Sequence, residues 1–325
     1  MRPPLLVLIP LSADSRATLS DTFELIDAAE VATRTHVMKR RARSIRLVLT
    51  NGAIGLSESQ IGALPRLELI GAIGSGYENI ACAAARRAGV AVVNGAGTND
   101  ACVADHAFGL LLALVRDIPR SDKACREGAW REALPMSPTF SGRRLGIAGL
   151  GHVGRKIAAR AIGFDLEIGY YNRQPVAGLD HAYFDSARSL AAWSDYLVIC
   201  TPGGPQTHHL VDREVLDALG PDGYLVNVAR GSVVDTAALV DALAARRIAG
   251  AGLDVFEDEP SVPPPLVESP RVVLTPHVAG ISPQTLSAAI ELFVENARRH
   301  FAGMPLLTPV AESGITAVPQ APAGC

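Results

Sequence analysis

The sequence has no pair of cysteines at C-x-x-C spacing, and the five it contains (Cys82, Cys102, Cys125, Cys200 and Cys325) are scattered. Neither a disulfide framework nor a zinc cage follows from that pattern, and a reducing cytoplasm fits it best. The eight histidines form no H-x-x-x-H and no carboxylate cluster at ligand spacing, so no metal site is expected. Long apolar runs are missing too. The first, Leu5–Ile9, falls far short of the roughly 20 residues a membrane span needs. It also lacks the small-residue cleavage pattern of a signal peptide, so a buried first strand is expected. Charge of one sign is scarce as well: a net charge of -3, with 19% charged residues, argues against a nucleic-acid-coating chain. The densest basic run, Lys39 to Arg43, is short and reads as a solvated helix end. No internal repeat stands out.

What is present is an alternation. With 325 residues and 48% hydrophobic content the chain suits two domains. Short β-branched or leucine-rich runs alternate with alanine-rich helical stretches, which predicts an α/β fold with parallel sheets. Leu5–Ile9, Ile45–Leu49, Leu67–Ala72 and Val90–Val93 read as strands of a first sheet. Leu145–Gly149, Leu166–Tyr171, Tyr196–Cys200, Tyr224–Val228, Gly250–Asp254 and Val272–Thr275 read as strands of a second. Their nearly continuous apolar character suits strands covered on both faces. Helical periodicity marks Val103 to Ile118 and Leu286 to Ala297, just before and just after the second set. Such a pair serves as the two crossings of an inserted domain. The expected architecture is two doubly wound parallel-sheet domains. A Rossmann-type nucleotide domain, 99–285, is inserted into a discontinuous substrate domain, 1–98 plus 286–325. The Ala/Pro/Gly-rich tail after Pro309 is expected to be loosely held.

Gly149-Leu150-Gly151-His152-Val153-Gly154 is a G-x-G-x-x-G turn directly after a strand and opening a helix. Gly149 allows the tight turn, Gly151 lets the backbone approach a pyrophosphate, and Gly154 lets helix and strand pack closely. The helix N-terminus, with His152 and Val153, offers N–H groups and a positive dipole to the anion. At the end of the next strand an NAD-specific site has an acidic residue; here stand Asn172 and Arg173. Asn172 removes the charge that would repel a 2′-phosphate and Arg173 can grip one, so NADPH is expected to be preferred over NADH.

Three later strands end in polar groups that a core has little use for. They run into Val228-Ala229-Arg230-Gly231, into Asp254 followed by Glu257-Asp258-Glu259-Pro260, and into Thr275-Pro276-His277 with Gly280 beyond. Strand C-termini face the ligand crevice in this architecture, so arginine, carboxylate and histidine there suit a keto acid.

At these motifs, together with Gly74-Ser75-Gly76-Tyr77-Glu78-Asn79-Ile80, the sequence resembles the D-isomer-specific 2-hydroxyacid dehydrogenases, and among them the glyoxylate/hydroxypyruvate reductases. The resemblance is strong from about Leu67 to Pro309 and weaker before. It implies NADPH-dependent reduction of a small 2-keto acid. Arg230 would grip the carboxylate and polarise the keto oxygen. His277 would donate the proton, and Glu259 would pair with it and favour the imidazolium. Ser75 and Gly76 match the loop that holds the substrate carboxylate. Asp254 matches the residue that fixes the nicotinamide carboxamide, and Val103 would pack near that ring. Cys200, Thr201, Pro202 and Thr207 sit where the family lines ribose and phosphates. Two departures stand out: Asp105 where glutamate is usual, and Ser75 where an aliphatic residue is common. Asp105 is expected to anchor its own helix. A homodimer is expected, with Trp130 as a packing or dimer-contact residue. The alternatives are a non-catalytic dinucleotide sensor of the same fold and a short phosphoglycerate-type dehydrogenase. Glu259 argues against a formate-type enzyme.

Overall fold

The structure, a computed structural model, describes residues 2–311. Most of the tail expected to be loosely held, and Cys325, lie outside the described residues. The chain divides into two compact units, Met1–Asn99 with Ile281–Cys325, and Asp100–Gly280.

The first unit is built on a five-stranded sheet in which all strands are parallel. Its strands are β1 (Pro4–Val7), β2 (Glu24–Asp27), β3 (Leu47–Asn51), β4 (Leu69–Ile73) and β5 (Ala91–Asn94), in the order β2-β1-β3-β4-β5. Successive side chains leave a strand on opposite faces. Leu6, Val48, Ile70 and Val92 therefore pack with Met38, Ile61 and Ala85 on one side. Leu5, Val7, Leu49, Leu69 and Val93 pack with Leu19, Phe23, Ile290 and Phe293 on the other. Because both faces are covered, these strands read as unbroken apolar runs. Each fully buried leucine or isoleucine contributes about 1.5–3 kcal/mol by leaving water. The end of the described chain belongs to this sheet: Pro309 bridges Val93, and the Val310 N–H donates to the Val92 carbonyl at 2.9 Å.

The second unit holds a seven-stranded parallel sheet. Its strands are β6 (Arg144–Ala148), β7 (Glu167–Tyr171), β8 (Ala182–Phe184), β9 (Tyr196–Ile199), β10 (Tyr224–Asn227), β11 (Gly250–Leu253) and β12 (Val272–Leu274). The order is β12-β11-β10-β9-β6-β7-β8. One face carries the helices Asp100–Val115 and His152–Ala161, and the other carries Ala187–Trp193, Arg213–Leu219 and Thr236–Ala244.

Two expectations need correction. β2 and β8 were not anticipated, because both are short edge strands whose exposed positions break the apolar run. The helix expected over Val103 to Ile118 runs Asp100–Val115 and stops. Asp117 adopts φ 52, and Ile118 and Pro119 open a new helix, Ile118–Arg126. Pro119 has no N–H to donate to the carbonyl one turn back and its ring would clash with it, so the first helix cannot run through that position and the apolar period outlasts it. The basic run does end a helix, Val31–Arg41, where Arg41 pairs with Glu24.

Candidate active site

In the second sheet β6 lies between β7 and β9, so the direction of winding reverses there and a crevice opens at the carboxyl ends. The glycine turn occupies that point. Gly149 has φ 101, and a Cβ on it would sit 2.8 Å from the Thr201 amide nitrogen. At Gly154 a Cβ would come within 2.2 Å of the Gly149 carbonyl, so the helix can lie this close only without a side chain. Gly151 differs. Its φ is -85°, and a Cβ there would meet nothing within 4 Å. Neither strain nor packing calls for that glycine. It leaves open space at the N-terminus of the helix His152–Ala161, which no side chain caps.

A second feature fits a dinucleotide. Thr201 Oγ1 is buried and has no hydrogen-bond partner among the described residues. An orphaned hydroxyl of this kind costs about 1–3 kcal/mol, which a ligand oxygen would recover. Around it, the Cys200 thiol donates to the Gly149 carbonyl at 3.0 Å. Cys200 is half-buried as a residue, and burial pushes its thiol up to about 12. Thr207 Oγ1 donates to the carbonyl of Pro202, itself exposed, at 2.7 Å and closes the loop after β9.

At the end of β7, Asn172 does more than leave out a charge: its Oδ1 accepts the Leu150 N–H at 2.7 Å and braces the glycine turn. Arg173 is exposed, and its guanidinium donates to Oε1 of Gln206. Val103 is buried in the same apolar cluster as Val228, with Val153 half-buried against it. His152 is exposed, with Nδ1 3.8 Å from Asp100. Burial holds the Asp100 carboxyl above its usual range, against the pull of His152 and Lys156.

Arg230, Asp254 and His277 follow three neighbouring strands in register, Asn227 opposite Leu253 and Leu253 opposite Leu274. The exit from β10 is tied by Asn227, whose Oδ1 accepts the Ala229 N–H and whose Nδ2 donates to the Arg230 carbonyl, both at 3.0 Å. The Arg230 guanidinium donates to the Ala229 carbonyl at 2.6 Å. Beyond it, a Cβ on Gly231 would lie 1.9 Å from the Phe256 carbonyl carbon, so the two strand exits pack backbone on backbone. Glu259 accepts from the Phe256 N–H through Oε1 at 3.1 Å, and its Oε2 is 2.7 Å from His277 Nδ1. The partner expected for the histidine is thus Glu259, not Glu257 or Asp258. His277 has φ 55.

Asp254 is buried and holds the segment that carries His277. Its carboxylate accepts from Thr275 Oγ1 at 2.6 Å and from the Val278 and Ala279 N–H groups at 2.9 Å each, one residue before Gly280. Sequence reasoning missed His106, whose Nε2 lies 2.9 Å from Thr275 Oγ1. The signal available was a histidine on an otherwise apolar helix. Asp105, expected to anchor its own helix, accepts from Arg160 Nε at 2.6 Å and so ties that helix to the helix His152–Ala161.

Ser75 and Gly76 belong to the first unit. There Gly74 turns with φ 86, Asn94 Nδ2 donates to the Ser75 carbonyl at 2.8 Å, and exposed Ser75 donates to Asn99 Oδ1 at 3.3 Å. Gly76 packs against Gly52, where a Cβ would lie 2.8 Å from the Gly76 carbonyl carbon.

Among the described residues one group could hold a metal: His208, His209 and Glu257 bring ligand atoms within 4.8 Å of one another. The two imidazoles stack, 3.9 Å between centroids and 27° apart, so their in-plane lone pairs run side by side and do not converge. A hydrogen bond accounts for the cluster, with His209 Nε2 2.7 Å from Glu257 Oε1. Burial works against the Glu257 carboxylate, but hydrogen bonds from Thr236 and His209 outweigh it and hold the carboxyl below its usual range.

Comparison with known proteins agrees with this geometry. The family profile described as D-isomer specific 2-hydroxyacid dehydrogenase, NAD binding domain, matches residues 108–279. The hydroxyphenylpyruvate reductase of Plectranthus scutellarioides is 40% identical over 94% of this chain and 98% of its own. The 2-ketogluconate reductase of Gluconobacter oxydans is 38% identical, over 95% and 99% respectively. Among solved structures, an NADPH-dependent glyoxylate/hydroxypyruvate reductase from Sinorhizobium meliloti, in complex with NADP and malonate, superposes with a TM-score of 0.88. It is 37% identical and covers 98% of this chain and 99% of its own. This chain belongs to the D-isomer specific 2-hydroxyacid dehydrogenase family.

Proposed function

We propose that the protein reduces a small 2-keto acid, of the glyoxylate or hydroxypyruvate kind, to the D-2-hydroxy acid, with NADPH preferred over NADH. The contact of His277 Nδ1 with Glu259, between the segments that follow β12 and β11, next to the β10 exit that carries Arg230, carries this reading. Bound nicotinamide supplies the hydride. Arg230 grips the carboxylate and stabilises the charge that gathers on the keto oxygen. His277 delivers the proton to that oxygen from Nε2, and Glu259 steadies the imidazolium through Nδ1.

Gly149, Gly151, Gly154, His152 and Val153 hold the pyrophosphate, with Cys200, Thr201, Pro202 and Thr207 along the ribose and phosphates. Val103, Val228, Ala229, Asp254 and Gly280 surround the nicotinamide end. Arg173, beside the uncharged Asn172, supports the preference for a 2′-phosphate. The first unit, through Ser75 and Gly76, is the substrate-binding domain, and Asp100–Gly280 is the dinucleotide-binding one. The protein acts as a cytoplasmic homodimer. Trp130, 66% exposed, and Met136, fully exposed, leave apolar surface for a second copy, and the four described cysteines form no disulfide. Among the described residues no helix is long and apolar enough to cross a membrane.

The test is loss of NADPH absorbance on adding glyoxylate, hydroxypyruvate, hydroxyphenylpyruvate or 2-ketogluconate. No turnover across that panel refutes the reading, and faster turnover with NADH refutes the cofactor preference.

A further inference from the structure

His106 stands three residues after Val103 and four before Leu110, on the helix that packs over β10, β11 and β12. Its neighbours Ala107, Leu110 and Leu111 are core residues, so a polar ring beside them needs a partner. It has two: Nε2 lies 2.9 Å from Thr275 Oγ1 and 3.5 Å from Asp254 Oδ1.

The donor inventory gives this chain a direction. Thr275 Oγ1 and Asp254 Oδ1 are 2.6 Å apart, and a proton must lie between two oxygens at that distance. The Thr275 hydroxyl supplies it, because the carboxylate already accepts from the Val278 and Ala279 N–H groups. The remaining lone pairs of Thr275 face His106, so Nε2 carries hydrogen and donates. The order is His106 to Thr275 to Asp254.

The chain ends on the proton donor. Asp254 holds that segment twice, through its main-chain oxygen, which accepts the His277 N–H at 2.8 Å, and through its carboxylate on the next two amides. His277 itself sits at φ 55, a region that a residue with a side chain keeps only when its surroundings hold it there. We infer that His106 is a positioning residue for His277, acting through Thr275 and Asp254; the inference rests on the proton-donor reading above. It fixes the Thr275 hydroxyl on Asp254, and Asp254 in turn keeps the imidazole against Glu259. A displacement of about 1 Å at a reacting group can cost on the order of 100-fold in rate.

Four substitutions test it in the full-length enzyme with NADPH and the best keto acid. Thr275→Val removes the hydroxyl at nearly constant volume, and His106→Leu removes the donor. Thr275→Ser and His106→Gln restore a hydroxyl and an N–H. The valine variant is expected to lower kcat about 30- to 100-fold and the leucine variant about 10-fold, with KM and the NADPH Kd within about threefold. The serine and glutamine variants recover most of the loss. The double variant His106→Leu/Thr275→Val runs no slower than Thr275→Val alone, because the two groups act in series. Unchanged kcat in the valine and leucine variants overturns the inference. So does a loss that serine and glutamine fail to recover, which marks a merely structural role. His277→Asn is measured alongside. If it abolishes turnover while the other variants run at the wild-type rate, the proton-donor reading stands and this inference falls. If His277→Asn turns over normally, both fall.

Discussion

Nδ1 of His277 lies 2.7 Å from Oε2 of Glu259, and the other oxygen of that carboxylate is held by the Phe256 N–H. One nitrogen of the ring is therefore committed to the protein, and Nε2 is the one to which the proposed reaction assigns the proton transfer. His277→Ala is expected to lower kcat by about 10²–10⁴-fold while NADPH still binds, and Glu259→Gln to lower it by less. Steady-state kinetics with a parallel fluorescence titration of NADPH decides this. Turnover of His277→Ala within about tenfold of wild type removes the proton-donor role.

The glycine turn makes a sharper prediction, because its glycines are there for different reasons. A Cβ at Gly151 meets nothing, so Gly151→Ala should leave thermal stability within about 0.5 kcal/mol yet weaken NADPH about tenfold or more. A Cβ at Gly154 meets the Gly149 carbonyl at 2.2 Å, so Gly154→Ala should cost about 1–3 kcal/mol in stability as well. If Gly151→Ala binds NADPH normally, that open space does not serve a ligand.

Arg173 is exposed and bonded to Gln206 by a group that a 2′-phosphate can replace. Arg173→Ala is expected to weaken NADPH by about 10- to 150-fold, the worth of a charge-assisted hydrogen bond, and to spare NADH. Equal losses for the two dinucleotides contradict this.

Acid sensitivity should enter the first unit through Glu68. The Arg46 guanidinium donates to it, Nη2 to Oε2 at 2.8 Å, and outweighs partial burial. His300 adds to the effect, so the carboxyl is held below its usual range. A group shifted down on folding stabilises the protein above its unfolded value, about pH 4.5, and loses that contribution as pH falls through the folded value. Both partners are about a third exposed, so the effect is at most about 1 kcal/mol. In urea unfolding followed from neutral to acid pH, Glu68→Gln should flatten that part of the curve. A slope identical to wild type contradicts the assignment.

Thiol reactivity offers a quick check of the nucleotide crevice. Cys125 is exposed, whereas burial pushes the Cys200 thiol up to about 12, where thiolate is scarce at neutral pH. Iodoacetamide at neutral pH should label Cys125 and leave Cys200 unmodified in mass spectra of the native protein. Equal labelling would show that Cys200 is open and acidic.

The sequence was most legible where one physical demand dominates. Strands covered on both faces announced themselves as unbroken apolar runs, and Gly149, Gly151 and Gly154 announced a tight turn that opens a helix. Edge strands β2 and β8 did not, since an exposed edge imposes no apolar pattern. The break at Asp117 was masked by Ile118, which continues the helical period although it is half-exposed. The role of Asn172 on the Leu150 amide, and the path from His106 to Asp254, depend on contacts between residues 22 and 148 positions apart, which no spacing rule reports.

The bridge of Pro309 to Val93 also sets an order of assembly. When the growing chain has delivered residue 280, everything needed for the seven-stranded sheet is present. The face of the earlier sheet that bears Val7, Leu49 and Leu69 still lacks Ile290, Phe293, Ala297 and Leu306. The first unit is thus begun before the second in synthesis and closed after it, and the interval is the period in which its open face can aggregate.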